Sequence, residues 1–282
     1  MSIPLKVKKT RKLNRVLSIL LVAFCAVEGF FLWLILFPNT EESSANVDNG
    51  VSELISDTRD IDISETIKIY ERRYRLEDWQ QFENELKERY SGKNYAIAFS
   101  DLNDPDLTLS VNADQEFMAA STYKLFAAYS MFKSGDPPEC LDTMIIDSDN
   151  DCPVAYMEDY GWSNLTKDAK EIGAENTYFD TTAHTTANDL VTILHQIYDG
   201  TLLSEEDNNR LLNDMKQQIY RGGIPTGVPE TEVADKVGFL DGLLHDAGIV
   251  YSPKDDFILV VLTDGYSWDS IAKTTTEIYN HL

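Results

Sequence analysis

The sequence predicts an α+β fold in which an antiparallel β-sheet is flanked by helices, with a helical sub-domain formed by the middle of the chain. Three patterns predict it: a β-hairpin early in residues 64–282, a second hairpin near the end, and helical spacing between them. The chain has 282 residues, of which 43% are hydrophobic and 26% charged. That composition supports a sizeable core in one ordinary domain with accessory segments.

The N-terminus predicts a membrane anchor. Residues 1–15 form a basic tail, residues 16–37 an almost unbroken apolar run, and Pro38 ends the run. A run of this length can cross a hydrocarbon core of ~30 Å. Because positively charged flanks stay in the cytoplasm, we expect a single-pass cell-membrane protein with its N-terminus inside and its C-terminal domain extracellular.

Two alternatives remain at this end of the chain. Ser43, Ser44 and Ala45 loosely resemble a cleavage site, so the run could be a secretory signal, although signal cores are usually only ~7–15 residues long. Glu28 within the run is interpreted as a tolerated neutral carboxyl, although an intramembrane acid can also mark helix pairing or function. Under either interpretation the rest of the chain is exported.

The charge balance excludes some partners. The net charge is −24 at pH 7, and nucleic-acid binding needs concentrated positive charge, so we expect no nucleic-acid partner. With three cysteines and four histidines, and no Cys-x-x-Cys or His-Glu-x-x-His pattern, we expect no metal site and no cofactor. Outside the cell, Cys140 and Cys152 could form a disulfide, two reduced thiols being the alternative.

The elements of the exported part follow in order. Residues 38–63 are acidic and polar, which is typical of a solvated stalk. Apolar residues at three-to-four spacing predict an amphipathic helix over 66–90, and Gly92 should end it. A hairpin is predicted from strands at 95–100 and 107–111, which an Asn-Asp-Pro-Asp turn separates.

The second half continues the pattern. A helix is predicted over 121–133, and residues 141–215 have helical spacing interrupted by glycine turns. Strands at 245–251 and 257–263 predict the second hairpin, and the continuous apolar run of the last strand indicates burial on both faces. Residues 267–282 are predicted to form a closing helix.

Three Ser-x-x-Lys pairs offer a nucleophile beside an amine, since this spacing puts both side chains on one face of a helix. They begin at Ser121, Ser130 and Ser270. Ser121 is the favoured nucleophile because it starts an apolar helix, where backbone N–H groups suit a developing anion and burial would free the Lys124 amine. A simple helix N-cap is the alternative for Ser121.

Two further motifs complete a candidate site. Ser148-Asp149-Asn150 offers a hydroxyl that could relay a proton and an amide that could hold a substrate carbonyl. Lys236-Val237-Gly238 offers an ammonium group for an anion and a glycine that lets substrate lie against a strand edge.

In this order the three motifs resemble the signature of class A β-lactamases and the related penicillin-binding proteins. The resemblance covers roughly 66–282. It implies that Ser121 is acylated, that Lys124 is its base or proton relay, and that Ser148 gives a proton to the leaving nitrogen. It also implies that Lys236 is an electrostatic anchor. Substrate would be held by three further residues: Asn150, Gly238 and Phe239, the last forming the oxyanion hole with the Ser121 N–H.

The sequence departs from that family in three respects. Val237 stands where the family usually has Thr or Ser, so one hydrogen bond to a substrate carboxylate is lost. The segment from Ser121 to Ser148 is short, which implies a trimmed helical sub-domain. The loop between 173 and 185 lacks the glutamate that deacylates the family's acyl-enzyme. Glu171, Glu175 and Asp180 are candidate substitutes for it. Each of the three is more typical of an exposed loop residue or a capping residue.

These patterns predict an exported serine hydrolase that forms an acyl-enzyme at Ser121 with a β-lactam or a peptidoglycan peptide, with slow deacylation. The alternative is a non-catalytic cell-wall binding or sensing domain on the same fold. The dispersed His184, His195 and His245 are interpreted as structural.

Overall fold

The computed structural model describes residues 63–282. The predicted tail, the anchor and the stalk up to residue 62 lie outside the described residues, as do Cys25 and Glu28. The chain divides into two compact units after Arg75, within the first described helix. Between residues 63 and 282, no helix combines the length and the apolar character that crossing a bilayer requires.

Helices and strands come in runs along the described chain, with four successive helices over residues 124–171. The helices are α1 (Ile63–Tyr90), α2 (Lys124–Lys133), α3 (Leu141–Ile146), α4 (Asp151–Tyr160), α5 (Trp162–Glu171), α6 (Ala187–Tyr198), α7 (Glu205–Lys216), α8 (Ile224–Gly227) and α9 (Trp268–His281). The strands are β1 (Tyr95–Asp101), β2 (Thr108–Val111), β3 (Phe117–Met118), β4 (Tyr178–Phe179), β5 (Ala183–Thr185), β6 (Glu232–Leu240), β7 (Leu243–Tyr251) and β8 (Phe257–Asp264).

The two predicted hairpins belong to one antiparallel sheet with strand order β2-β1-β8-β7-β6. Strand β1 pairs with β8 along its whole length, from Tyr95 opposite Thr263 to Asp101 opposite Phe257. The early and late hairpins therefore meet at the centre of the sheet. The predicted fold class, an antiparallel sheet flanked by helices, is confirmed.

Both faces of this sheet are covered, which explains the continuous apolar run of β8. Ile258, Val260 and Leu262 belong to the core that the sheet shares with the helices of the middle of the chain. Their neighbours on β8 belong to a second core with α9 and the C-terminal half of α1: Leu259 and Val261, with Trp79, Phe82, Leu86, Ile271 and Ile278. Burying alternate residues on opposite faces requires apolar side chains at nearly every position.

A second, small sheet of order β3-β5-β4 was not predicted. Its strands have two or three residues each, which is too short for a periodic pattern. The predicted helix over 121–133 also begins differently, because Ala120–Tyr123 forms a 3₁₀ turn before α2 starts at Lys124. Both features border the candidate site.

Candidate active site

Ser121 lies on a tight turn at the entry to α2. The preceding Ala120 has φ of 44°, a left-handed conformation that non-glycine residues rarely adopt and that often occurs at functional sites. Thr122 holds the turn, because both its N–H and its hydroxyl donate to the carbonyl of Ala119, at 3.1 and 2.6 Å. Ser121 is therefore held at the N-terminus of a buried helix.

Lys124 is fully buried directly beneath this serine. Its Nζ lies 3.1 Å from Oγ of Ser121, 2.8 Å from Oδ1 of Asn150, and 2.6 Å from the carbonyl oxygen and 3.3 Å from Oγ of Ser148. One turn of helix thus brings the amine to the candidate nucleophile, as the Ser-x-x-Lys spacing predicts.

Ser148 links the two candidate lysines. Lys236, also fully buried, donates from Nζ to Oγ of Ser148 at 3.0 Å and to the carbonyl oxygen of Val237 at 3.2 Å. Ser148 itself has φ of 62°, a second left-handed residue at this site. The structure therefore brings together Ser121, Lys124, Ser148 and Lys236 although they are far apart in sequence.

Burial changes the proton affinity of both lysines. Loss of hydration lowers the pKa of Lys124 to about 8, against an opposing effect of the Asp149 carboxylate. Burial likewise lowers the pKa of Lys236 to about 7, and the positive charge of Lys124 lowers it further. An amine that loses its proton near neutral pH can accept one from a serine hydroxyl.

Gly238 lets strand β6 approach the turn that carries Ser121 closely. A Cβ at this position would lie 3.0 Å from the Ala119 oxygen and 3.0 Å from each of the backbone nitrogens of Ser121 and Thr122. The absent side chain thus makes room for backbone, which brings the Ser121 N–H next to the strand that carries Phe239. Phe239 is 42% exposed and lines the same cavity as Ser121.

A disulfide brackets the Ser148 loop. Cys140 and Cys152 are bonded, with Cα atoms 5.7 Å apart, and they lie at the start of α3 and in the first turn of α4. The Cys152 N–H donates to the Asp149 carboxylate at 2.8 Å. The bond and this cap together restrict the segment that presents Ser148 and Asn150.

A buried carboxylate pair behind Lys236 was not predicted. Asp235 and Asp246 are both buried, and Arg221 donates to Asp235 at 2.5 Å. Burial raises the pKa of Asp235 well above its ordinary value and that of Asp246 to about 6, and the charge of Asp246 raises the Asp235 pKa further. Val237 is opposite Asp246 in the sheet and is fully buried. The alternation of side chains along β6 predicts that Asp235 and Val237 share one face of the sheet. It does not predict that Asp246 of β7 lies beside them.

The cavity at Ser121 has a volume of about 320 Å³. It is lined by Met118, Ala120, Ser121, Tyr123, Asn150, Thr182, Ala183, Phe239 and Leu240, a set without a carboxylate in the described part of the chain. Within residues 63–282 no cluster of acidic, histidine or cysteine side chains could hold a metal ion.

The three acids considered as substitutes for the deacylating glutamate have other surroundings. Glu171 forms an ion pair with Lys133, and Glu175 is exposed. Asp180 caps its own loop by accepting from the Thr182 N–H at 3.1 Å, a bond that lowers its pKa. These contacts are typical of the loop and capping roles that the sequence indicated.

The other two Ser-x-x-Lys pairs have structural surroundings. Ser130 donates to Asp168 at 2.6 Å, and Lys133 also binds this carboxylate. Ser270 lies in the first turn of α9, and Lys273 forms an exposed ion pair with Asp269. Neither pair lines the cavity at Ser121.

Solved structures share this fold. PBP-A is 21% identical over 71% of this chain and 95% of its own, with a TM-score of 0.65. A mutant of PBP-A, solved as an acyl-enzyme complex with penicillin G, is 23% identical over 73% of this chain and 96% of its own, with a TM-score of 0.66. A β-lactamase from Sphaerobacter thermophilus is 16% identical over 68% of this chain and 91% of its own, with a TM-score of 0.61.

No curated protein matches the sequence. The model of the "Beta-lactamase2" family, the beta-lactamase enzyme family, matches residues 79–136 and 138–282, which is most of the chain. The fold of this family supports acyl-enzyme chemistry of the serine-hydrolase kind in general. On the strength of that match, the chain belongs to the beta-lactamase enzyme family.

Proposed function

We propose that this protein is an exported, membrane-tethered serine hydrolase whose Ser121 is acylated by a β-lactam or by a peptidoglycan-like amide. One observation carries the proposal: Nζ of Lys124 contacts Oγ of Ser121 while Oγ of Ser148 lies within hydrogen-bonding distance of both Lys124 and Lys236. A purely structural helix cap would not need two buried amines around two hydroxyls. The penicillin adduct of the PBP-A mutant is consistent with the proposed chemistry.

Acylation would proceed in three proton transfers. Neutral Lys124 takes the proton of Ser121, and Oγ attacks the carbonyl carbon while the N–H groups of Ser121 and Phe239 receive the negative charge on the oxygen. The carbon–nitrogen bond then breaks. The nitrogen takes a proton from Ser148, which is replenished from the ammonium of Lys124 or Lys236. The products are the ester at Ser121 and an amine, which leaves from a peptide and stays attached to the acyl group of a β-lactam.

The exported location belongs to the same proposal. The basic tail and the apolar run at 16–37 predict an external domain, and peptidoglycan peptides and β-lactams are both met outside the membrane. Asn150 is the residue of the Ser148 loop that is exposed and lines the cavity, which supports a role in holding a substrate amide.

The full-length protein can be incubated with a fluorescent penicillin and, separately, with a chromogenic cephalosporin. We expect a covalent adduct that is lost in Ser121→Ala and kept in Ser270→Ala, the matched control from another Ser-x-x-Lys pair. Rapid colour release would identify a β-lactamase, and a lasting adduct a penicillin-binding protein. Neither adduct nor colour would overturn the proposal and favour a cell-wall binding or sensing domain.

A further inference from the structure

One hydroxyl in the wall of the Ser121 cavity is bonded to a histidine. Oγ1 of Thr182 lies 2.5 Å from Nε2 of His184, and Thr182 lines the cavity with Ser121. On the other side of the ring, Nδ1 of His184 lies 3.1 Å from Oε1 of Glu116. The three side chains form a hydroxyl–imidazole–carboxylate series that opens on the cavity.

The small sheet holds this series in place. In the centre of that sheet, β5 pairs His184 with Met118 of β3 and with Tyr178 of β4. The Tyr178 ring stacks on the imidazole at 4.7 Å, and its hydroxyl donates to the same Glu116 oxygen at 3.2 Å. The stacking fixes the plane of the imidazole. Glu116 lies within ion-pair distance of Nδ1 but forms no hydrogen bond with it, so the carboxylate is placed to stabilise positive charge on the ring while Nε2 faces the Thr182 hydroxyl.

The series is also tied to the nucleophile. The N–H of Ala119, two residues before Ser121, donates to the carbonyl of Ala183 at 2.7 Å. Ala183 lies between Thr182 and His184, and it lines the cavity as well. The strand that carries the histidine is thus fixed directly to the turn that carries Ser121.

We propose that Thr182, His184 and Glu116 form the proton relay that activates water to hydrolyse the Ser121 acyl-enzyme. This inference rests on the proposed function, because it needs an acyl group on Ser121. The relay would supply a general base to a cavity whose described wall contains no carboxylate. Glu171 and Asp180, two candidate substitutes for the deacylating glutamate, already make other contacts.

The hydrolytic step balances as follows. A water molecule on Thr182 attacks the ester carbon, one water proton passes to Oγ1 of Thr182, and the Thr182 proton passes to Nε2 of His184. The carbon–oxygen bond to Ser121 then breaks, and the serine oxygen takes a proton from Lys124. The acid product leaves, His184 returns its proton to solvent, and Lys236 takes up one proton from solvent, so that the two amines again share a single positive charge and Lys124 is neutral for the next acylation. Glu116 stabilises the transient imidazolium charge.

Separate measurement of acylation and deacylation tests the relay. In the full-length protein, intact mass after a short exposure to penicillin gives the acylation rate, and decay of the adduct after dilution gives the deacylation rate. Thr182→Val removes the hydroxyl at nearly constant shape, and Thr182→Ser restores it. His184→Gln keeps a hydrogen-bond acceptor that cannot take a proton.

We expect Thr182→Val and His184→Gln to slow deacylation by ~100-fold, which is within the usual contribution of general base catalysis. The acylation rate should fall much less than the deacylation rate, and Thr182→Ser should recover most of the deacylation rate. An unchanged adduct lifetime in Thr182→Val, or a wild-type adduct that never hydrolyses, would overturn the relay alone, as would an equal fall of both rates. Absence of any wild-type adduct would instead overturn the proposed function, and the relay with it.

Discussion

The amino groups of Lys124 and Lys236 both lie within hydrogen-bonding distance of one atom, Oγ of Ser148, at 3.3 and 3.0 Å. Both side chains are fully buried, and two like charges so close together disfavour each other. The structure therefore favours a single positive charge shared between the two amines. That leaves one amine free to accept a proton, which is what acylation of a serine requires.

The first prediction concerns the pH dependence of acylation. The pKa of Lys124 is lowered to about 8 by burial, and only the neutral amine can take the Ser121 proton. Well below that pKa the neutral fraction falls ~10-fold per pH unit, and at the pKa it is about one half, so the acylation rate should rise about 50-fold between about pH 6 and pH 8. Pulse labelling with fluorescent penicillin measures it. Lys124→Arg, which stays charged throughout, should abolish labelling, and a flat wild-type profile would exclude Lys124 as the base.

The second prediction concerns the disulfide. Cys140 and Cys152 close a loop with a sequence separation of 12 that contains Ser148. Replacing both cysteines by serine should lower the free energy of unfolding by ~2–4 kcal/mol, because the unfolded chain regains loop entropy. Acylation should also slow, because the Ser148 loop loses a restraint. Urea unfolding of the oxidised protein and the double variant measures the first effect, and equal midpoints would refute it.

The third prediction concerns Asp246. Its pKa is raised to about 6 by burial, so its contribution to stability is full at low pH and is lost as the pH rises from about 4 through about 6. Asp246→Asn removes that loss, and its amide can donate to the unpaired oxygen of Asp235. The variant should be more stable than wild type at neutral pH, by ~1–3 kcal/mol. Thermal unfolding at acidic and neutral pH measures this, and a variant equally destabilised at both would contradict it.

The fourth prediction concerns His245. Its Nε2 donates to the Met118 carbonyl at 2.9 Å, and its Nδ1 accepts from the Thr263 N–H at 3.1 Å, so the folded protein needs a neutral ring. Burial lowers the pKa of His245, and stability should therefore fall as the pH drops below about 6.5, where the unfolded histidine takes a proton.

His245→Leu leaves two backbone groups unpaired and should cost ~1–3 kcal/mol in the free energy of unfolding at neutral pH. The difference in free energy of unfolding between variant and wild type should become smaller under acidic conditions, because the wild type loses stability there and the variant has no histidine at this position. Unfolding curves at several pH values measure it. A difference that stays constant with pH would mean that His245 does not titrate on unfolding.

The sheet and the candidate site differ in how far sequence predicts them. The hairpins at 95–111 and 245–263 were predictable because turn residues separate strongly apolar strands, and burial of β8 on both faces followed from its composition. The motif residues at Ser121, Ser148 and Lys236 were recognisable because helix and strand geometry fixes their local spacing. What brings them together is the sheet register and the loop between Cys140 and Cys152, which no local pattern specifies.

Other contacts could not be predicted because their partners are distant or their elements too short. The contact of His184 with Glu116 is one example, since nothing near either residue in the sequence indicates a partner 68 residues away. The strands that bring them together, β3 and β5, have only two and three residues and give no periodic signal. Asp235 and Asp246 likewise belong to different strands, and only the β6–β7 register makes them neighbours.

Locating the acyl group is the most direct test of the central claim. After reaction with penicillin, the full-length protein can be digested and its peptides sequenced by mass spectrometry. We predict that the added mass lies on Ser121, within the peptide that also contains Lys124, and that Ser121→Ala carries none. A protein that reacts at another side chain, or that remains unmodified at alkaline pH where Lys124 is neutral, would contradict this account of the site.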